Sequence, residues 1–305
     1  CEFLFKGEGE FHITNCYMSN SDWGIYSYNG KFFIHNCIFE EMGKPLHILS
    51  PSTLILKNCI FRYCKNIPGR AGFYIGRIDT FENNNLYEFR NIYGGGIGWE
   101  KIVPQGEFKF NNFSSIEKLS DQYNESLVAI YINYKIQNFV GNNFLSSTLA
   151  CLSNDLTSIY INPQYYGTID SARIENSIFD FLDDNSYSKI IFSPYLKKPS
   201  EKAHGIVWKV EVNEIDPQDE HLDPIGNERV KFDVYFNRPM DIEYSPLIGF
   251  GVKEPYLQRI VEEDGAWSTD STIYTAYYNV DARTGDGINS IKVLNARDPE
   301  GFEIP

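Results

Sequence analysis

The chain has 305 residues, enough for two domains, with 27 Lys and Arg against 41 Asp and Glu for a net charge of -14. Such a surface repels phosphate backbones, which argues against a nucleic-acid partner, and no apolar run approaches the roughly 18 residues of a membrane-spanning helix. Aromatic residues make up 15% of the chain, with 21 Tyr and 22 Phe, a composition that favours strands over helices.

The chain opens on "CEFLFKGEGEFHITNC", already inside a repeating pattern. This reads as a piece of a longer protein or a mature form without its leader; a lipid-bearing Cys1 is the alternative. "ITNCYM" (13–18), "IHNCIF" (34–39) and "LKNCIF" (56–61) follow one another at a spacing of 21 and then 22 residues between Asn15, Asn36 and Asn58. A fixed period of this length is the signature of a solenoid, in which each repeat adds one coil. The pattern recurs less cleanly at "FRNIYG" (Phe89, Asn91, Tyr93), "FNNFSS" (Phe110, Asn112, Phe113), "VGNNFL" (Val140, Asn142, Phe144) and "IENSIF" (Ile174, Asn176, Ile178, Phe179).

Strict alternation within a unit would put Ile34, Asn36 and Ile38 on one face. The preferred reading instead makes Asn36 a corner between two short strands, because Asn tolerates the left-handed conformation and stacked amides can bond from coil to coil. Cys37 and Phe39 then both point inward, and Ile38 is also taken as a core position where a charge would block folding. The cysteines are Cys1, Cys16, Cys37, Cys59, Cys64 and Cys151. Three of them share one repeat position, so they are expected to stack as reduced, buried thiols rather than pair. No C-x-x-C pair suggests a metal site.

A coil of about 21 residues built from short strands and Asn corners implies a parallel β-helix. Residues 1–195 resemble the right-handed parallel β-helix proteins of the pectate-lyase-like superfamily. Residues 196–205, within "FSPYLKKPSEKAHG" (192–205), read as a linker. Beyond it, residues 206–305 carry "IVWKVEV", "VKFDVYF", "STIYTAYYNV" and "SIKVLNA", separated by "NRPMD", "EEDG" and "RTGDG", which suggests a β-sandwich. "VYFNRPMD", "GAWSTDSTIYTAYY" and "DGINSIKVLNARDPEGFEIP" resemble the Ig-like modules of large secreted bacterial surface proteins. The fold expected is all-β, a right-handed parallel β-helix with a C-terminal Ig-like sandwich, and the resemblance implies an extracellular or cell-surface location.

Enzymes of the resembled superfamily use clustered Asp as acid and base, or a base beside Ca²⁺-bound uronate. Of the galacturonase-type elements only "DD" at Asp183 and Asp184 and "AHG" at 203–205 occur, with His204 read as solvated. Asp183 and Asp184 are therefore the catalytic candidates, an acidic turn being the alternative. Hard oxygen ligands for Ca²⁺ are offered by Asp180 with that pair and by Asp216, Asp219 and Asp223. Tyr93, Trp99, Tyr165 and Tyr166, with Tyr160 nearby, are candidates for stacking on sugar rings. Because no assembled acid–base set is present, the function expected is a non-catalytic surface segment that binds polysaccharide or adheres. A divergent polysaccharide lyase or hydrolase is the alternative.

Overall fold

The computed structural model describes residues 3–5, 8–48, 52–64, 73–75, 78–87, 90–91, 97–98, 107–114, 117–118, 130–132, 138–145, 149–151, 158–183, 185, 188–218 and 220–305. The chain divides into two compact units, Cys1–Ala203 and His204–Pro305.

The first unit is a parallel β-solenoid. One face stacks six strands in parallel: Glu10–Thr14, Lys31–His35, Thr53–Lys57, Ile78–Glu82, Glu107–Lys109 and Asn138–Val140. The second and third faces form one twelve-stranded sheet, because the eleven-residue strands Tyr17–Ser27 and Ile38–Ile48 continue from one face to the next. Later coils divide that path, as in Ile60–Arg62 on the second face and Phe73–Ile75 on the third.

The corner between the first and second faces is set by single residues in the left-handed region. Asn15, Asn36, Asn58 and Asn83 have φ between 52° and 55°, Phe110 has 58° and Gly141 has 65°. Asn tolerates this region better than most L residues, which explains its recurrence. Gly141 is needed for a second reason: a Cβ there would lie 2.8 Å from the Phe110 ring. Each corner N–H is bonded to the following coil, from Asn15 N to His35 O at 3.1 Å through to Gly141 N to Pro163 O at 3.1 Å. Of the amide stack expected for Asn15, Asn36 and Asn58, one step is bonded on the exposed side, where Asn36 Nδ2 donates to Asn15 Oδ1 at 3.4 Å.

The residue after each corner turns inward, and these residues form a single ladder, partly exposed at Cys16 and buried from Cys37 onward. It begins with Cys16, Cys37 and Cys59 and continues with Asn84, Asn111, Asn142 and Gln164. The cysteines are free thiols, each donating to the carbonyl two residues back: Thr14 O at 3.3 Å, His35 O at 3.2 Å and Lys57 O at 3.2 Å. At the changeover Asn84 Oδ1 accepts from Cys59 N at 3.0 Å. From there each amide donates to the next: Asn84 to Asn111 Oδ1 (3.0 Å), Asn111 to Asn142 Oδ1 (2.9 Å) and Asn142 to Gln164 Oε1 (2.9 Å). The same amides reach carbonyls of an adjacent coil, such as Phe81 O at 2.9 Å and Phe108 O at 3.1 Å. A second amide row, Asn85, Asn112 and Asn143, runs beside it at 2.8 and 2.7 Å. Burying polar groups is costly unless they are bonded, and these rows bond most of theirs, Asn85 Nδ2 being an exception.

Around the ladder the core is aromatic. Phe39 stacks on Phe61 at 4.6 Å, Phe81 on Phe108 at 4.7 Å, and Phe113 on Phe144 at 5.2 Å. Stacked pairs of this kind contribute about 0.5–1.5 kcal/mol beyond the area they bury.

Several expected positions move. The coil after Asn58 turns at Asn83, not Asn91; Arg90–Asn91 instead pairs with Glu117–Lys118 in a separate short ladder. Asn176 ends a six-residue helix, Ser171–Asn176, capped by Asp170. At "FNNFSS" and "VGNNFL" the corner is Phe110 or Gly141, so Asn112 and Asn142 lie inside. The stretch 196–203 packs along the solenoid: Leu196 N donates to Gln164 O at 2.8 Å and Ser200 N to Asn143 Oδ1 at 2.9 Å.

The second unit contains two antiparallel sheets. One orders Val207–Val212, Arg229–Phe236, Ile273–Asn279 and Glu263–Trp267; the other orders Arg259–Val261, Leu247–Gly251 and Ser290–Leu294. Both contribute to one apolar core, in which Phe232 of the first sheet meets Phe250 of the second at 5.8 Å.

Ile38 is half-buried and pairs in register with Tyr17 and Ile60 on the outward side, whereas Phe39 is fully buried. Phe39→Asp is therefore expected to abolish the cooperative melting transition of the solenoid, and Ile38→Asp to leave a folded chain with a lowered Tm. Circular dichroism melts of the two variants distinguish them.

Candidate functional site

The outer surface of the first coils carries two side-chain clusters, each produced by parallel register. The first lies on the third face. Ile25 and Ser27 point inward, so Tyr26 between them points out, and register places it beside His47. Their rings stack at 4.5 Å. Trp23 meets Tyr26 edge-on at 5.4 Å, and Tyr28 does so at 4.9 Å. The Tyr26 and Tyr28 hydroxyls are 2.6 Å apart. Lys44, opposite Trp23 in register, is buried with its ammonium 4.1 Å from the indole centre, a cation–π contact. Tyr28 is 52% exposed, Trp23 and Tyr26 are half-buried and His47 is buried, so the tyrosine and tryptophan rings are the part of the cluster open to solvent. Tyr74 takes the next register position after His47.

The second cluster lies on the second face, at the fourth residue after each corner. Glu40 and Arg62 are register partners there, with Arg62 Nε 3.0 Å from Glu40 Oε1 and Nη2 3.2 Å from Oε2. Tyr17 donates to Glu40 and Arg62 donates to Tyr87 Oη at 3.4 Å. Burial pushes the Glu40 carboxyl up, but the Tyr17 and Arg62 contacts outweigh it and hold the group below the usual carboxylate range. The signal was in the sequence: Glu40 and Arg62 stand at equal distance from Asn36 and Asn58.

The residues singled out from sequence do not come together. Asp183 is exposed; its carboxylate accepts from Asp180 N at 3.0 Å and closes the turn 180–183. Asp180 is buried, its oxygens taken by Leu182 N at 2.9 Å and Ile190 N at 2.7 Å. Tyr165 and Tyr166 are buried, and Tyr166 continues the inner aromatic stack 5.7 Å from Phe144, so neither ring is offered to a ligand. Tyr160, by contrast, is 78% exposed. Asp216 accepts from Gln218 N at 3.0 Å, and Asp223 is a solvated side chain 3.5 Å from His221. Tyr93, Trp99, Asp184 and Asp219 lie outside the described residues.

His204 is not solvated. It is 3% exposed, stacks on Phe302 at 3.7 Å and pairs through Nδ1 with Asp298 Oδ2 at 2.7 Å. Among the described residues, His204, Asp298 and Glu300 are the one converging set of potential metal ligands. Asp298 is already committed: Oδ2 also accepts from Gly205 N, and Oδ1 accepts from Glu300 N at 3.1 Å and Phe302 N at 2.9 Å. Positive charge is supplied by Arg238, 2.9 Å from Glu300 and 3.8 Å from Asp298. Burial raises the Asp298 carboxyl, but His204 and these backbone donors leave it lowered on balance. The set is a structural knot that ties "NRPMD" to the last hairpin, with Asp241 N bonded to Arg297 O at 2.9 Å. No family model, curated protein or solved structure matches the chain.

A carboxyl whose pKa is lowered by folding contributes stability above its unfolded value, and that contribution is lost as pH falls through the folded value. Glu40 is such a group, with an unfolded value of about 4.3. Glu40→Gln is accordingly expected to flatten the fall in Tm between about pH 5 and pH 3. Melts at matched ionic strength check this.

Proposed function

We propose that this chain is a non-catalytic segment of an extracellular surface protein that binds polysaccharide, or adheres, through the outer face of its solenoid. Trp23, Tyr26 and Tyr28 carry the reading: rings held by edge-on contacts and by the stack of Tyr26 on buried His47, with hydroxyls at their edge. Aromatic faces bury the apolar C–H surface of sugar rings, and phenol hydroxyls bond to their hydroxyls. The parallel solenoid supports a finer reading as a right-handed, pectate-lyase-like β-helix, and the paired antiparallel sheets one as an Ig-like module. Together with the "NRPMD" and "ARDPEG" turns, they favour a secreted bacterial origin.

The lyase or hydrolase reading has one observation in its favour, the Glu40–Arg62–Tyr17 cluster. It is the weaker reading because the carboxylate is bound on both oxygens. Hydrolysis also needs a second carboxyl about 5–10 Å away across the scissile bond.

Screening the full chain on plant, host and microbial glycans tests the proposal. Tyr26→Ala with Tyr28→Ala is expected to weaken binding of any retained glycan by about tenfold or more in a chain that still melts cooperatively, with Tm lowered by the lost ring contacts. Undiminished binding by a folded double variant overturns the assignment. Release of reducing ends or unsaturated uronates, lost in Glu40→Gln, moves the conclusion to the enzyme reading.

A further inference from the structure

On the first face the strands Glu10–Thr14, Lys31–His35 and Thr53–Lys57 run in register, which places His35 between Thr14 and Lys57. The His35 side chain is half-buried, and its Nε2 atom is buried with no hydrogen-bond partner. Whichever nitrogen carries the proton in the neutral ring, the imidazolium carries a proton on both. Protonation therefore puts a charged N–H where no acceptor stands, and burying such a group is costly. The neighbouring charges do not supply a counter-ion. On the preceding strand Glu10 faces Lys31 at 3.7 Å, and His12 stacks on Phe33 at 4.5 Å. On the following strand the Lys57 ammonium is held by Glu82 at 2.7 Å. Glu82 is shared with Lys109 at 3.4 Å, and Lys109 also pairs with Glu107 at 2.8 Å. Among the described residues these carboxylates are committed to lysines, and His35 is left beside cations.

We propose that His35 is an acid-sensitive latch on the first three coils: the neutral ring fits its place in the first face, and proton uptake loosens the parallel pairing of Glu10–Thr14, Lys31–His35 and Thr53–Lys57. Histidine is the side chain suited to such a role, because its ordinary value lies near 6.5. The backbone of His35 ties the ring to the corners. His35 O accepts from Asn15 N at 3.1 Å and from Cys37 Sγ at 3.2 Å. A ring that moves to hydrate its added proton therefore pulls on the corner bond of the first coil and on the thiol end of the ladder. Burial first, then Lys57 and His12, lower the His35 ring from the ordinary histidine value. The unfolded chain, with a value of about 6.5, then takes up the proton first. Stability from this residue is full above about pH 6.5, falls as pH drops toward the lower folded value, and levels off below it.

The test uses the full chain in two measurements. NMR titration of the histidine rings, with His35 assigned through its backbone, reads the ring directly. Hydrogen exchange of peptides covering 10–14, 31–35 and 53–57 reads the pairing, in the wild type and in His35→Gln, which cannot take up the proton. Comparing the two chains at the same pH cancels the pH dependence of the exchange chemistry. The His35 ring is expected to titrate below about 6.5. The ratio of wild-type to variant exchange in the three peptides is expected to rise between about pH 7.5 and about pH 5, and to stay constant in peptides covering 229–236 and 273–279 of the second unit. A His35 ring that titrates at or above about 6.5, a ratio that does not change with pH, or an equal rise in the second unit overturns the proposal. If circular dichroism shows that His35→Gln does not fold, the ring titration of the wild-type chain decides.

Discussion

Each time the chain leaves the first face it passes through one left-handed residue, and the next side chain enters a dry interior beside backbone carbonyls of its own coil and a neighbouring one. That position cannot be filled by an ordinary hydrocarbon without leaving polar groups unpaired, a loss of about 1–3 kcal/mol for each group. The chain meets the demand with two chemistries. Thiols serve in the early coils, where a small side chain donates weakly to carbonyls. Amides serve later, where each side chain both donates to the carbonyls and bonds its neighbour in the ladder. The join, from Cys59 N to Asn84 Oδ1, lets one mode follow the other without a break.

The aromatic core and the outer surface follow from that ladder. Because the ladder keeps coils in register, identical positions stack: Phe39 over Phe61 inside, Tyr26 beside His47 and Glu40 beside Arg62 outside. Outside the core these positions can diverge, since solvent satisfies their polar groups, and a binding surface can be assembled there without disturbing the interior. The second unit solves its own burial problem differently. One carboxylate, Asp298, collects an imidazole, a guanidinium and three backbone N–H groups at a single point.

The solenoid was legible where the period was constant. Asn15, Asn36 and Asn58 fall at 21 and 22 residues, and both the corner and the inward Cys37 and Phe39 follow from that spacing. Legibility failed as the coils lengthened. Consecutive ladder residues are 25 apart from Cys59 to Asn84, 27 to Asn111 and 31 to Asn142. The corner also ceases to be Asn, so matching on Asn selected Asn91 and Asn176 and shifted two other coils. At Ile38 the inward set resets after the corner, and strict alternation does not survive it. His204 and Asp298 are 94 residues apart, and no local pattern announces such a pair. Tyr165 and Tyr166 lacked an outward signal because the core of this solenoid is itself aromatic.

The central claim is that the buried amides hold the solenoid together as one continuous ladder. Hydrogen exchange of the side-chain NH₂ groups, followed by nitrogen-resolved NMR on the full chain, tests it most directly. Buried and bonded amides exchange only when the surrounding structure opens. The account predicts that the NH₂ protons of Asn84, Asn111, Asn142 and Gln164 persist in D₂O as long as the slowest backbone amides of the solenoid, while those of the exposed Asn36 are gone at the first time point. Exchange of Asn111 and Asn142 as fast as Asn36 in a folded chain would contradict it.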